Sequence, residues 1–322
     1  LLAVSPWARE RRRLVFRIAA ALSLILATLR LLSRWFHTPF FHDILAIAMV
    51  ELAIIVMSLA PLGLSLLASR AIARAFDAGV TIACTTTGAL GWGMVRGRHS
   101  FTIEEVPIKV PGWPRALDGY VIAQVSDVHV GAFVRDRELD EGFELVRRAR
   151  PDLVVATGDL VDNDAAFIDL LNARLLGAGA RDGAYVVLGN HDHYAGAAKV
   201  AERIRRAKVG LLHNEGVHIR RGDGGGFALL GVDDLHGRKA RSPGHPGPDL
   251  GRALAGLPPD IPRVLLAHQP PFFNESQGRV ALQLSGHTHG GQINPGFRPA
   301  AAVMDFIAGR YDRAGSILYV NR

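Results

Sequence analysis

Tyr120-Val121-Ile122-Ala123-Gln124-Val125-Ser126-Asp127-Val128-His129 passes, within one short stretch, from a β-branched apolar run to two side chains able to ligate a metal. The run has the length and composition of a buried strand, and Ser126 ends it where the chain must turn. Alternation along an extended backbone places Asp127 and His129 on one side, within reach of a single ion. An Asp-x-His triplet alone is common, so its weight depends on whether the same transition recurs.

It recurs down the chain. Apolar runs follow at Leu153 to Ala156, Ala184 to Leu188, Phe227 to Leu230, Val264 to Ala267, Val280 to Leu284 and Ile317 to Val320. Between them lie helical stretches at Arg137 to Arg150, stopped by Pro151, at Ala165 to Leu176, at Ala197 to Lys208 and at Leu250 to Leu257 before Pro258. Strands alternating with helices predict layered α/β structure. The Pro- and Gly-rich stretch from Arg238 to Pro248 reads as a loop.

Four further clusters sit at strand ends: Gly158-Asp159-Leu160-Val161-Asp162, Gly189-Asn190-His191-Asp192, His268 after Leu265-Leu266-Ala267, and Gly286-His287-Thr288-His289-Gly290-Gly291. The last again places two histidines on one side of an extended segment. A lone His or Asp at a strand end is ordinarily a turn or capping residue. Five clusters at five strand ends point instead to a shared ion site. Oxygen and imidazole ligands without thiolate suit Mn, Fe or Zn. Seven candidates, Asp127, His129, Asp159, Asn190, His268, His287 and His289, are too many for one ion. With one carboxylate bridging, they fit two divalent metal ions holding a hydroxide between them.

The ordered set Asp-x-His, Gly-Asp-x-x-Asp, Gly-Asn-His-Asp, His and Gly-His-x-His resembles the calcineurin-like metallophosphoesterase superfamily. The longer strings Gln124 to Gly131, Thr157 to Asp162, Leu188 to Asp192 and Leu284 to Gln292 resemble its membrane-attached bacterial branch. The likeness covers about residues 105 to 322 and implies an α/β four-layer sandwich, two sheets flanked by helices. It implies that Asp127, His129, Asp159 and His289 hold one ion and that Asp159, Asn190, His268 and His287 hold the other. His191 matches the family's proton donor or transition-state stabiliser, Asp192 would orient it, and Asp162 would stand behind the ligands or cap the following helix. The chain begins at Leu1 and stops at Arg322, short of the family's closing strand, and reads as a fragment or truncated gene product.

The first hundred residues differ in kind. Of 322 residues, 49% are hydrophobic and one is Cys, which excludes disorder and a disulfide scaffold. Residues 1–100 carry eleven Arg against four acids, the entire formal excess of +7. A nucleic-acid-binding face would need that excess on the folded domain, so no nucleic-acid partner is expected. The arginines flank three apolar segments, Leu14 to Leu32, Ile44 to Ala68 and Ala78 to Val95, each near the length that crosses a bilayer. Residues 1–99 therefore read as a membrane region of two to three transmembrane helices, and 100–322 as the phosphoesterase domain. Arg9, Arg11, Arg12 and Arg13 favour a cytoplasmic N-terminus, and three spans then export the catalytic part across a bacterial cytoplasmic membrane.

Together these features predict a membrane-anchored dimetal hydrolase of phosphodiesters or phosphomonoesters, whose partners are the lipid bilayer and a phosphate-ester substrate, lipid-linked or free. The resemblance also admits a UDP-2,3-diacylglucosamine pyrophosphohydrolase of lipid A synthesis. The rival of another class is an inactive membrane binding protein, against which the complete ligand set argues.

Overall fold

The computed structural model describes residues 101–131, 134–222, 225–240, 246–291 and 304–322. Residues 101–322 form one compact unit. The three apolar segments, with Glu51 and Cys84 inside them, lie outside the described residues. Among the described residues no helix is long and apolar enough to cross a membrane.

The first half of the unit is strand–helix repeats. β1 (Ile122–Val125), β2 (Leu153–Thr157), β3 (Ala184–Val187) and β4 (Gly210–Leu211) pair in parallel in that order. All five residues of β2 are buried, as a central strand covered on both faces requires. Between the strands run α1 (Asp136–Arg148), α2 (Ile168–Gly177), α3 (Asn190–Tyr194) and α4 (Ala197–Arg206). α1 shows how local sequence makes such a helix. Leu139 and Phe143 are buried one turn apart, while Arg137 pairs with Glu141 and both Arg147 and Arg148 pair with Glu144 on the solvent face. The Glu138 carboxylate accepts the N–H of Arg135 and closes the first turn.

The second half builds a six-stranded sheet from β5 (Glu215–Arg220), β6 (Gly226–Gly231), β7 (Arg263–Leu266), β8 (Leu282–Ser285), β9 (Gly309–Arg313) and β10 (Ser316–Val320). Its order is β5-β6-β7-β8-β10-β9. The four inner strands are parallel and the two edges antiparallel. α5 (Leu235–Ala240), α6 (Leu250–Leu254) and α7 (Phe273–Ser276) complete it. The stretch expected to be loop from Arg238 is thus helical as far as Ala240.

Three apolar layers hold four structural layers together. One core joins the first sheet to α1, α2 and α4 through Leu139, Phe143, Ile168, Leu171, Val200 and Ile204. A second lies between the sheets, where Leu153, Val155 and Val187 meet Phe227, Leu229, Val264 and Leu284. A third seats Leu250 and Ala253 of α6 against Ala228, Leu230 and Leu265. The expected four-layer α/β/β/α sandwich is the observed one. At the carboxyl ends of the strands the two sheets are also joined by polar contacts: Gln124 Nε2 donates to Thr157 Oγ1 and to the Ser285 carbonyl, each at 3.0 Å. That seam is where the motif residues collect.

Candidate metal centre

The segments after β1, β2, β7 and β8 bring all six charged or imidazole candidates together. Asp127, His129 and His289 offer ligand atoms within 4.8 Å of one another, and so do Asp159, His268 and His287. Asp159 stands between the sets, its Oδ2 3.8 Å from His129 Nε2 and 3.2 Å from His268 Nε2. Imidazole nitrogens face each other within each set, His129 to His289 at 3.3 Å and His287 to His268 at 3.2 Å. His191 forms a third set with His129 and Asp159, sharing two members with the others.

The backbone delivers these side chains differently from the expected extended segments. Asp127, His129, Asp159, His287 and His289 all have φ between 47° and 74°. They account for five of the nine non-glycine residues in that left-handed region among the described residues. Each such residue costs on the order of 1–3 kcal/mol and persists only where its surroundings over-determine it, which is typical of functional sites. The two ligands of each Asp-x-His or His-x-His triplet therefore share a side because the chain curls under them, not because a strand alternates. Asp127 N–H donates to the Gly158 carbonyl and His129 N–H to the Asp159 carbonyl, which locks the curl.

Close approach explains two of the motif glycines. A Cβ on Gly189 would land on the Asp159 carboxylate and backbone, and one on Gly286 would land on Ser126 Oγ and Asp127 Oδ2. Both loops press directly on a ligand, so no side chain fits there.

Electrostatics in the metal-free protein show how strongly the groups feel one another. Burial opposes a charge on Asp159, but the imidazoles of His268 and His129 outweigh it and hold the carboxyl below the usual carboxylate range. Burial likewise lowers His268, yet the Asp159 carboxylate overrides it and pushes the ring up to about 10. His129 and His287 are lowered, first by burial and then, for His287, by the charge on His268.

Three features fit a divalent ion. The side-chain oxygen of Asn190 is buried with no hydrogen-bond partner, as an unfilled ligand would be. His268 directs Nδ1 at the Thr157 carbonyl, 2.8 Å away, which leaves Nε2 to face Asp159 and an ion. Asp127 accepts the His287 N–H on both oxygens at 2.9 Å, which fixes its direction. The donor set is all nitrogen and oxygen, suited to Mn, Fe or Zn.

The family follows from this placement and from the match of residues 120–291 to the family model described as calcineurin-like phosphoesterase. The chain belongs to the calcineurin-like phosphoesterase family. It is 35% identical over 231 residues to a "transmembrane protein with metallophosphoesterase domain" of Bos taurus, covering 69% of this chain and 52% of that protein. A Danio rerio protein of the same description is 33% identical over 251 residues, covering 76% and 57%. The chain thus spans little more than half the length of these curated relatives. A solved dimetal phosphatase from Danio rerio aligns with 15% identity and a TM-score of 0.41, over 62% of this chain and 86% of that one.

Within this phosphoesterase fold Asp192 does not take the place expected of it. It is fully buried, and its carboxylate accepts the N–H groups of Leu160, Val161 and Gly189. It braces the two ligand loops against each other. Burial and the nearby Asp159 charge push its carboxyl up to about 7, against those three backbone bonds. The group beside the His191 ring is Asp162, whose Oδ1 lies 3.5 Å and whose carbonyl lies 3.3 Å from Nδ1. That hydrogen bonding raises the His191 pKa against the opposing effect of burial.

Asp233 and Asp234, a pair of acids just after β6, are struts. Asp233 lies between His193, at 3.0 Å, and His213, at 3.4 Å. Burial disfavours its charge, but the two imidazoles prevail and hold it below the ordinary range. Asp234 Oδ1 accepts Gln269 Nε2 and the His236 N–H, tying the residue after His268 to the start of α5. The paired acids after an apolar run were the visible signal. Their partners His193, His213 and Gln269 were not, because they come from three separate segments, α3 and the loops after β4 and β7.

Proposed function

We propose that the chain is a membrane-associated hydrolase that cleaves phosphodiester or phosphomonoester bonds with two divalent ions. The observation that carries this reading is Asp159 standing between two converging sets of ligands, with the buried Asn190 oxygen left over. Asp127, His129, Asp159 and His289 would hold one ion, and Asp159, Asn190, His268 and His287 the other. When bound, the ions supply Lewis-acid activation of the phosphoryl group and of the attacking water.

The chain's own groups do the rest. Asp159 stays ionised in its buried position, Asp127 is aimed by the His287 N–H, and Asp192 holds the loops after β2 and β3 in register. His191 stands beside the candidate ligands with Nδ1 turned to Asp162, which leaves Nε2 as the nitrogen suited to donating to the departing oxygen. No protein nucleophile is required.

Full-length protein in detergent, loaded with Mn, is expected to hydrolyse bis(p-nitrophenyl) phosphate, to lose that turnover with chelator and to regain it with Mn. Metal-loaded protein inert toward diesters, monoesters and sugar-nucleotide lipids alike would leave the binding-protein reading. Turnover confined to an acylated sugar nucleotide would identify the pyrophosphohydrolase instead.

Membrane association is supported by the apolar segments and by relatives whose names call them transmembrane proteins. The arginines at 9 and 11–13 favour an N-terminus inside and, with three spans, a catalytic domain outside. Alkaline phosphatase fused after Glu105 in a bacterial host should then be active and green fluorescent protein at the same point dark. The reverse pattern would place the domain in the cytoplasm.

A further inference from the structure

Tyr194 ends α3 and is the most exposed large hydrophobic side chain among the described residues, 60% open to solvent. A solitary exposed tyrosine is ordinary. This one is set apart by its neighbours. Its ring meets that of His191 at 5.3 Å and 63° and that of His236 at 4.9 Å and 85°. His191 in turn meets the candidate ligand His129 at 4.5 Å and 86°. Tyr194 is therefore one ring beyond the proposed proton donor, on the line that leads away from the metal ligands.

Its seat is rigid. The residue before it, His193, is bonded to buried Asp233, and the start of α3 is tied by Asp192 to the loop after β2. His236 is held from the other side by its N–H to Asp234 Oδ1 at 2.7 Å. Two aromatic rings from separate, tethered elements thus meet edge to face, with the larger one left open. A proton donor must stand next to the leaving-group oxygen, so whatever that oxygen carries passes over the residues next to the donor. An open tyrosine ring in that position, on a tethered helix end, offers a planar group a stacking surface.

We propose that Tyr194, supported by His236, is the platform on which a planar leaving group stacks, an aryl or nucleobase-bearing alcohol, and is thereby a specificity determinant of the site. The proposal rests on the hydrolase reading for the location of the phosphoryl group. Stacking of this kind contributes on the order of tenfold in affinity.

The test is calorimetric binding of methyl-, octyl- and phenylphosphonate to the Mn-loaded full chain in detergent, for wild type, Tyr194→Ala and Tyr194→Phe. Wild type should bind phenylphosphonate about tenfold more tightly than methylphosphonate and more tightly than octylphosphonate. Tyr194→Ala should lose the phenyl preference while its methylphosphonate affinity stays within about twofold, and Tyr194→Phe should keep the preference. A wild type without phenyl preference, a preference that survives Tyr194→Ala, or octyl binding equal to phenyl would each overturn the platform. So would a parallel loss of methylphosphonate binding, which would make Tyr194 a prop for the metal centre. Wild type that prefers phenylphosphonate yet hydrolyses no phosphoester would defeat the hydrolase reading and leave the platform standing.

Discussion

Asp159→Asn is expected to bring bound Mn well below one ion per chain and to lower turnover by roughly a thousandfold or more, since several kcal/mol of charge stabilisation are at stake and each 1.36 kcal/mol is tenfold. The substitution preserves shape. Asn can still accept the His191 N–H that Asp159 Oδ1 receives at 2.8 Å, so the loop after β3 keeps its anchor. What it removes is the one negative charge shared by the two ligand sets, in a side chain only 2% exposed. It also removes the carboxylate that does most to raise His268 against burial in the metal-free protein. Metal content by elemental analysis, together with kcat, checks the expectation. Two retained ions with kcat within tenfold of wild type would show that Asp159 does not bridge.

His191→Ala is expected to behave oppositely toward metal: content close to wild type, kcat lower by about a hundredfold or more, the usual size of a general-acid contribution. The role has a pH signature. A proton donor works while it holds its proton, and the bond to Asp162 raises the His191 pKa, extending activity toward higher pH. Asp162→Asn weakens that support, so the high-pH decline of kcat should begin at lower pH while the low-pH side stays in place. His191→Ala depleted of metal as strongly as Asp159→Asn would reassign His191 as a ligand, a position its distance from His129 and Asp159 permits.

All seven apolar runs read from the sequence are strands; six have neighbours on both sides, and the seventh, β1, is an edge strand whose residues are half-buried. The strands that went unread are β4, β5 and β9, which are edges. β9 is Gly-Arg-Tyr-Asp-Arg, whose Arg310 and Asp312 pair in solvent, so nothing in its composition separates it from a loop. An edge strand is specified by hydrogen bonds to a partner distant in sequence, and its exposed side chains carry little of the apolar signal that marks a central strand.

The site divides along the same physical line. The candidate ligands were legible because metal chemistry admits few residue types and each falls at the end of an apolar run, where chemistry and period coincide in a few consecutive residues. The direction of those side chains was not, because it depends on left-handed backbone at Asp127, His129, Asp159, His287 and His289, a conformation that local sequence disfavours and only surrounding contacts impose. The same holds for the supporting groups. Asp192 was read from its place in a motif as His191's partner, yet its carboxylate is taken up by amides of two loops, and Asp162 has the ring. By itself the sequence determined the layered α/β class and singled out the candidate ligand set, since both follow from short-range pattern. Only the tertiary structure decided which carboxylate braces, which one holds the His191 ring, and that Tyr194 stands open beside it, because hydrogen bonds and ring contacts between segments depend on distances that no spacing along the chain encodes.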